Sequence, residues 1–139
     1  MARPSILRGL FDSSGSVAIE YAVVGPVMLL FTLGIMDISR LLWIDITLTE
    51  ATEAAARCGA VNTTACPSAN IAGYAAGLAW GVPNITSANF TPTTPSCGVQ
   101  VVGTYTYTFI VPWFPQFSSS APFGSASMTL TATACYPKS

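Results

Sequence analysis

The chain has 139 residues, room for one small domain and one long helix but not for two ordinary domains. Only 8% of its residues are charged and 51% are hydrophobic, against roughly 25% charged in an average soluble domain. A net charge of -1 and the absence of histidine leave no basic footprint for nucleic acid, no Ser-His or Cys-His nucleophile pair and no ordinary zinc set. The reading is therefore a non-enzyme, with no catalytic, cofactor-binding or metal residues and no nucleic-acid partner.

Residues 1–15 form a short polar leader that carries Arg3, Arg8 and Asp12 and closes on Asp12-Ser13-Ser14-Gly15. From Ser16 to Met36 the chain is an apolar run whose only charge is Glu20. At ~1.5 Å per residue this is about the length needed to cross a bilayer core, which predicts a transmembrane segment over 17–36 in contact with membrane lipid. Pro26 removes the amide that would bond the carbonyl of Ala22, a soft point in the helix. Arg3 and Arg8 precede the span and Asp37 opens its far flank, so the positive-inside bias puts the N-terminus in the cytoplasm. A secretory signal peptide would need small residues after Met36, and Asp37-Ile38-Ser39-Arg40 does not supply them.

No Pro or Gly interrupts Ile35 to Cys58, and Gly59 offers a C-cap, so one helix is expected over 16–58. Leu41, Ile44, Leu48, Ala51, Ala55 and Cys58 recur at spacings of three and four, which marks one buried stripe. Glu50, Glu53 and Arg57 gather on the opposite face.

Between Arg57 and Lys138 there is no charged residue, and 20 Ser and Thr keep this stretch hydrated. Such a surface lacks the repulsion that holds proteins apart and suits packing against neighbours or life outside the cell. Ser68 to Trp80 reads as a short second helix and Pro83 to Ser96 as a Thr/Pro/Asn linker. Val99 to Val111 alternates, with Val99, Val101, Tyr105, Tyr107, Phe109 and Val111 on one side; Ser125 to Ala134 alternates again. These are two strands of a hairpin whose connection, Pro112 to Gly124, holds Trp113, Phe114, Phe117 and Phe123. Such aromatics most often cover a sheet edge, with an adhesive or subunit-contact tip as the other reading. The sequons at Asn62, Asn84 and Asn89 mark accessible loops.

The four cysteines match no metal spacing and point to two disulfides in an oxidising compartment. Of the three pairings open to four cysteines, the expected one is Cys58–Cys66, closing a short turn after the long helix, with Cys97–Cys135 joining the two ends of the hairpin; Cys58–Cys97 or Cys58–Cys135 would staple the hairpin to the helix instead. The apolar side is odd-numbered in the first strand and even-numbered in the second. Two odd-numbered cysteines can then meet only through a β-bulge or an irregular end. The expected fold class is α+β. A long N-terminal transmembrane helix continues into a small extracytoplasmic domain (59–139) with a short helix and an antiparallel hairpin or small sheet.

The informative unit is Gly15-Ser16-Val17-Ala18-Ile19-Glu20-Tyr21 at the head of the apolar run. A carboxylate at the centre of a membrane helix costs roughly 2.5–3.5 kcal/mol, less near an end, and normally has a partner. A cut after Gly15 would give Ser16 an ammonium group able to meet the Glu20 of a neighbour. This pattern resembles the processing site of type IV prepilins, in the Glu-Tyr version of the Flp/Tad branch. Glu20-Tyr21-Ala22, Gly25-Pro26-Val27, Asp37-Ile38-Ser39-Arg40 and Ala54-Ala55-Ala56-Arg57 extend the resemblance to TadE-like pseudopilins over residues 14–57.

The resemblance implies a minor pilin or pseudopilin in the structure or assembly of a tight-adherence pilus. Gly15 and Ser16 would be the cleavage site, and Glu20 and Tyr21 the assembly residues. The implied partners are a membrane prepilin peptidase, other pilin and pseudopilin subunits and the inner-membrane assembly platform. The implied location is the bacterial inner membrane, single-pass with the C-terminal domain periplasmic, or the extracellular pilus. The rival reading is an uncleaved single-pass receptor or sensor with a ligand-binding extracytoplasmic domain.

Overall fold

The computed structural model describes residues 14–62, 64–110 and 127–138. The described chain divides into two compact units between Met36 and Asp37. Its first element, α1 (Ser14–Val61), contributes to both.

In the first unit α1 is apolar on every side. Val17, Ile19, Tyr21, Val23, Met28, Leu29, Phe31 and Ile35 are all exposed. Exposure of apolar side chains all round this part of the helix, among the described residues, suits a membrane anchor. The helix is long and apolar enough to cross a membrane. Pro26 lies within it without ending it, and the Thr32 hydroxyl donates to the Met28 carbonyl at 2.7 Å, so its polar atom is satisfied within the helix.

From Asp37 onward α1 is one-sided. Ile44, Leu48, Ala51 and Ala55 are buried, as the spacing predicts, while Glu50, Glu53 and Arg57 are exposed. Thr47 and Thr52 are also buried, and each donates its hydroxyl to the carbonyl four residues back. The helix runs three residues past the expected end at Cys58. Gly59 is not a C-cap: a Cβ there would lie 2.6 Å from Ile71 Cδ1 and 3.1 Å from Val99 Cγ1, so its smallness serves close packing. The stop comes from Asn62. Its carbonyl accepts from the Cys66 amide at 2.9 Å, and its side-chain oxygen accepts from the Ala65 amide at 2.9 Å.

The second helix, α2 (Ile71–Leu78), is shorter than the expected 68–80 and buries Ile71 and Ala75. The stretch Pro83 to Ser96 is more than a linker. A 3-10 turn over Ser87–Asn89 leads into β1 (Phe90–Thr93), which pairs antiparallel with β2 (Val99–Thr108). Four residues interrupted by Pro92 carry little alternation, and the strand is held by tertiary contact: Phe90 is buried, and the Asn89 amide donates to the Thr104 carbonyl at 3.0 Å. β2 pairs antiparallel with β3 (Ser127–Tyr136), completing a sheet in the order β1-β2-β3.

Val99 faces Tyr136 and Tyr107 faces Met128, so odd residues of β2 oppose even residues of β3 throughout. Val101, Tyr107, Leu130, Ala132 and Ala134 form one core with Ile44, Leu48 and Ala55 of α1. The strand connection, with Trp113, Phe114, Phe117 and Phe123, lies outside the described residues.

Cys58 is bonded to Cys66, with Cα atoms 5.8 Å apart, and Cys97 to Cys135, at 6.3 Å. The parity conflict is met by an irregular end, not a bulge. Cys135 pairs with Gln100 in the ladder, and the chain reaches back to it from Cys97 through Gly98 at φ +122°. A Cβ on Gly98 would stand 2.1 Å from the Tyr136 carbonyl oxygen, a place only glycine can occupy.

Candidate functional site

The N-terminal motif lies on the first turns of α1. Gly15 and Ser16 are the second and third residues of the helix. Glu20 and Tyr21 follow one turn later, and both side chains are exposed. Val17, Glu20, Tyr21 and Val24, spaced three, one and three apart, line one shallow groove. The Glu20 carboxylate is therefore presented at the surface among apolar neighbours, Tyr21 beside it. Chemically this can attract a cation or a hydrogen-bond donor brought by another molecule.

A second feature was legible only as a flank charge. Asp37 is 2% exposed. The Tyr107 hydroxyl lies 2.8 Å from its Oδ1 and 3.1 Å from its backbone carbonyl, and the Ile110 amide donates to Oδ2 at 2.9 Å. Both carboxylate oxygens thus accept from one short stretch at the end of β2. The Ile110 amide is thus spent on Asp37 and not on the ladder, in keeping with the end of β2 at Thr108; Val111, the last residue of the expected strand, lies outside the described residues. Burial, reinforced by the hydrogen bond to Asp37 and its negative charge, pushes the Tyr107 phenol up to about 12. The Arg40 guanidinium lies 5.9 Å from the centre of the Tyr107 ring, and the Phe109 ring meets it edge-on at 5.1 Å. Among the described residues no buried side-chain N or O lacks a hydrogen-bond partner.

The only local signal for this cluster is an acidic residue at the end of an apolar run. Its partners lie 70 and 73 residues away, beyond the reach of periodicity. The structure keeps Asp37 and the Glu20 motif in different units. Of the sequons, Asn62 is occupied in the turn after α1 and Asn89 in joining the 3-10 turn to β2. Asn84 stands at φ 57°. Among the described residues no group of three or more Asp, Glu, Cys or His side chains converges as a metal site.

Residues 15–57 match the model of the TadE-like protein family. The match opens at Gly15, closes at Arg57 and contains Glu20, Tyr21 and Asp37. No curated protein and no solved structure matches the chain.

Proposed function

We propose that this chain, TadE-like over residues 15–57, is a minor pilin or pseudopilin of a tight-adherence pilus, acting in its structure or assembly. In this reading residues 1–15 are a leader removed by a prepilin peptidase between Gly15 and Ser16. Residues 16–58 are the anchor and assembly helix, spanning the inner membrane over 17–36 with the N-terminus cytoplasmic. Residues 59–139 complete a disulfide-bonded domain on the periplasmic side.

The observation that carries the reading is the match opening at the expected scissile glycine, on a helix whose first unit exposes apolar side chains all round. The new ammonium of Ser16 and the Glu20 carboxylate supply opposite charges at one end of the span. In a medium of low dielectric such charges attract strongly across neighbouring subunits. Glycine lets the backbone approach the peptidase as no side-chain-bearing residue does.

The test is N-terminal sequencing of the mature protein from a piliated cell, alongside Gly15→Val. The expected mature start is Ser16, with Gly15→Val inserted in the membrane but unprocessed. A mature protein that still begins at Met1 would favour the uncleaved receptor.

A further inference from the structure

Lys138 is the only lysine of the chain and the first charged residue after Arg57. Its position in the fold is set by how the chain leaves the sheet. β3 ends at Tyr136, which lines a small notch of about 230 Å³ with Glu50, Glu53 and Arg57 of α1. Beyond Tyr136 the chain turns across the start of β2. Gly98 lies so close beneath it that a Cβ there would stand 2.7 Å from Pro137 Cα and 2.9 Å from the Lys138 amide nitrogen. Lys138 thereby comes to the rim of a second groove, about 500 Å³, bordered by Pro92 and Thr93 of β1.

The strand order is β1-β2-β3, so the notch lies at one edge of the sheet and the groove at the other. They share one level, because Val99 in the groove is the ladder partner of Tyr136 in the notch. Each offers what the other lacks. The notch sets exposed Glu50 and Glu53 against one Arg57, beside a Tyr136 that is 37% exposed. The groove has an apolar floor in Cys66, Ile71 and Val99, all buried, and a single ammonium on its rim. Asp37, Arg40 and the half-buried Asp45 precede Glu50 on α1 and together add one more negative charge to the helix. No charge between Arg57 and Lys138 opposes a close approach. Two edges of one chain that complement each other in sign and surface describe a contact from copy to copy. A different partner would match only one of them.

We infer that two copies of this chain pack side by side through these edges. Lys138 of one copy meets Glu50 and Glu53 of the next, and the Tyr136 ring of that next copy rests on the apolar floor of the first copy's groove. The inference deepens the proposed role and rests on the membrane-anchor part of that reading, which gives neighbouring copies one orientation. An exposed ion pair adds little by itself. Burial of the ring supplies the rest, and confinement to one membrane raises the effective concentration enough for a weak contact to fill. Because the two edges differ, the contact repeats from copy to copy instead of closing a twofold pair.

The experiment uses the full chain in the membrane of spheroplasts, treated with a carbodiimide, which joins an amine to a carboxylate in contact with it. Two variants, Lys138→Gln and Glu50→Gln with Glu53→Gln, are produced singly and together in one cell. Expected from the unaltered chain is a dimer whose crosslinked peptides join Lys138 to Glu50 or Glu53. Neither variant alone should form it. Together they should, since one keeps the carboxylates and the other the lysine, and a bond between them is intermolecular by construction. Tyr136→Ser should lower the yield roughly tenfold, as loss of an interface aromatic does. A Lys138 bond confined to one chain, a bond to Asp45 or to a different protein, or no product from Lys138 overturns the inference. The mature N-terminus is read from the same material. A start at Ser16 without the dimer removes this contact and leaves the pilin role, whereas the dimer with a start at Met1 removes the pilin role and keeps the contact.

Discussion

Asp37 shows how one residue can hold a meaning that its neighbours in sequence do not reveal. Counted as a flank charge it orients a span; in the structure it accepts hydrogen bonds from Tyr107 and Ile110. Removing one partner of a buried hydrogen-bonded charge leaves the other groups unsatisfied, at ~1–3 kcal/mol or more. Asp37→Ala should therefore destabilise the domain by about 2–3 kcal/mol and free the end of β2. Tyr107→Phe, which keeps the Ile110 bond, should cost about 1 kcal/mol. Urea unfolding of the detergent-solubilised chain checks both, and equal losses would show that the Ile110 amide contributes nothing.

The same pair gives a pH prediction. A phenol ordinarily near 10 and raised to about 12 in the fold is protonated in the native state where the unfolded state has lost its proton. The stabilisation is complete below pH 10 and is lost as pH rises from there through about 12. Tyrosinate absorbance should show one tyrosine ionising late, together with unfolding, and Tyr107→Phe should abolish that late step. Glu20 belongs to this scale too. Glu20→Gln keeps the shape and removes the charge, so insertion should be unharmed or slightly improved. Under the proposed pilin role, crosslinking to partner subunits and piliation should fall together, and normal piliation in Glu20→Gln would leave the carboxylate without an assembly role.

At the scale of elements, the parts legible in the sequence are those whose pattern repeats. The stripe from Ile44 to Ala55 predicts the buried face of α1, and the odd-even alternation predicts the inward faces of β2 and β3. β1 has only four residues, and its place depends on Phe90 reaching the core and on the Asn89 bond to Thr104. Neither is a local property. Gly59 shows the reverse error: a glycine after a helical run reads as a cap, whereas here it makes room for Ile71 and Val99. The Gly15-to-Tyr21 motif was legible as a pattern because its residues are adjacent in the chain. The Asp37 cluster was not, because it joins segments 70 and 73 residues apart. Gly59→Val puts branched bulk where Ile71 Cδ1 already stands within 2.6 Å of a Cβ. It should cost about 1–3 kcal/mol through overpacking without shortening α1, and helical circular dichroism alongside unfolding separates that from a capping loss.

For the part of the molecule beyond the long helix, covalent closure does work that charge does not. No charged residue lies between Arg57 and Lys138, so neither salt bridges nor mutual repulsion can stabilise or solubilise this stretch. The two disulfides differ mainly in the chain they close: the sequence separation is 8 for Cys58–Cys66 and 38 for Cys97–Cys135. If they act chiefly by restricting the unfolded chain, the logarithmic loop dependence assigns about 2.5 kcal/mol to the first and about 4 kcal/mol to the second. The longer closure also fixes Gly98 under Tyr136 and so clamps the end of the sheet opposite the Asp37 cluster. Cys97→Ser with Cys135→Ser should therefore be the more damaging double replacement, lowering the urea midpoint further than Cys58→Ser with Cys66→Ser. Gly98→Ala should reproduce much of that loss with both cysteines present, because its side chain and the Tyr136 carbonyl need the same space. If the short-loop pair proves the more costly, the stabilisation lies in how Cys66 packs in the core, where it is 2% exposed, and not in the entropy of the unfolded chain.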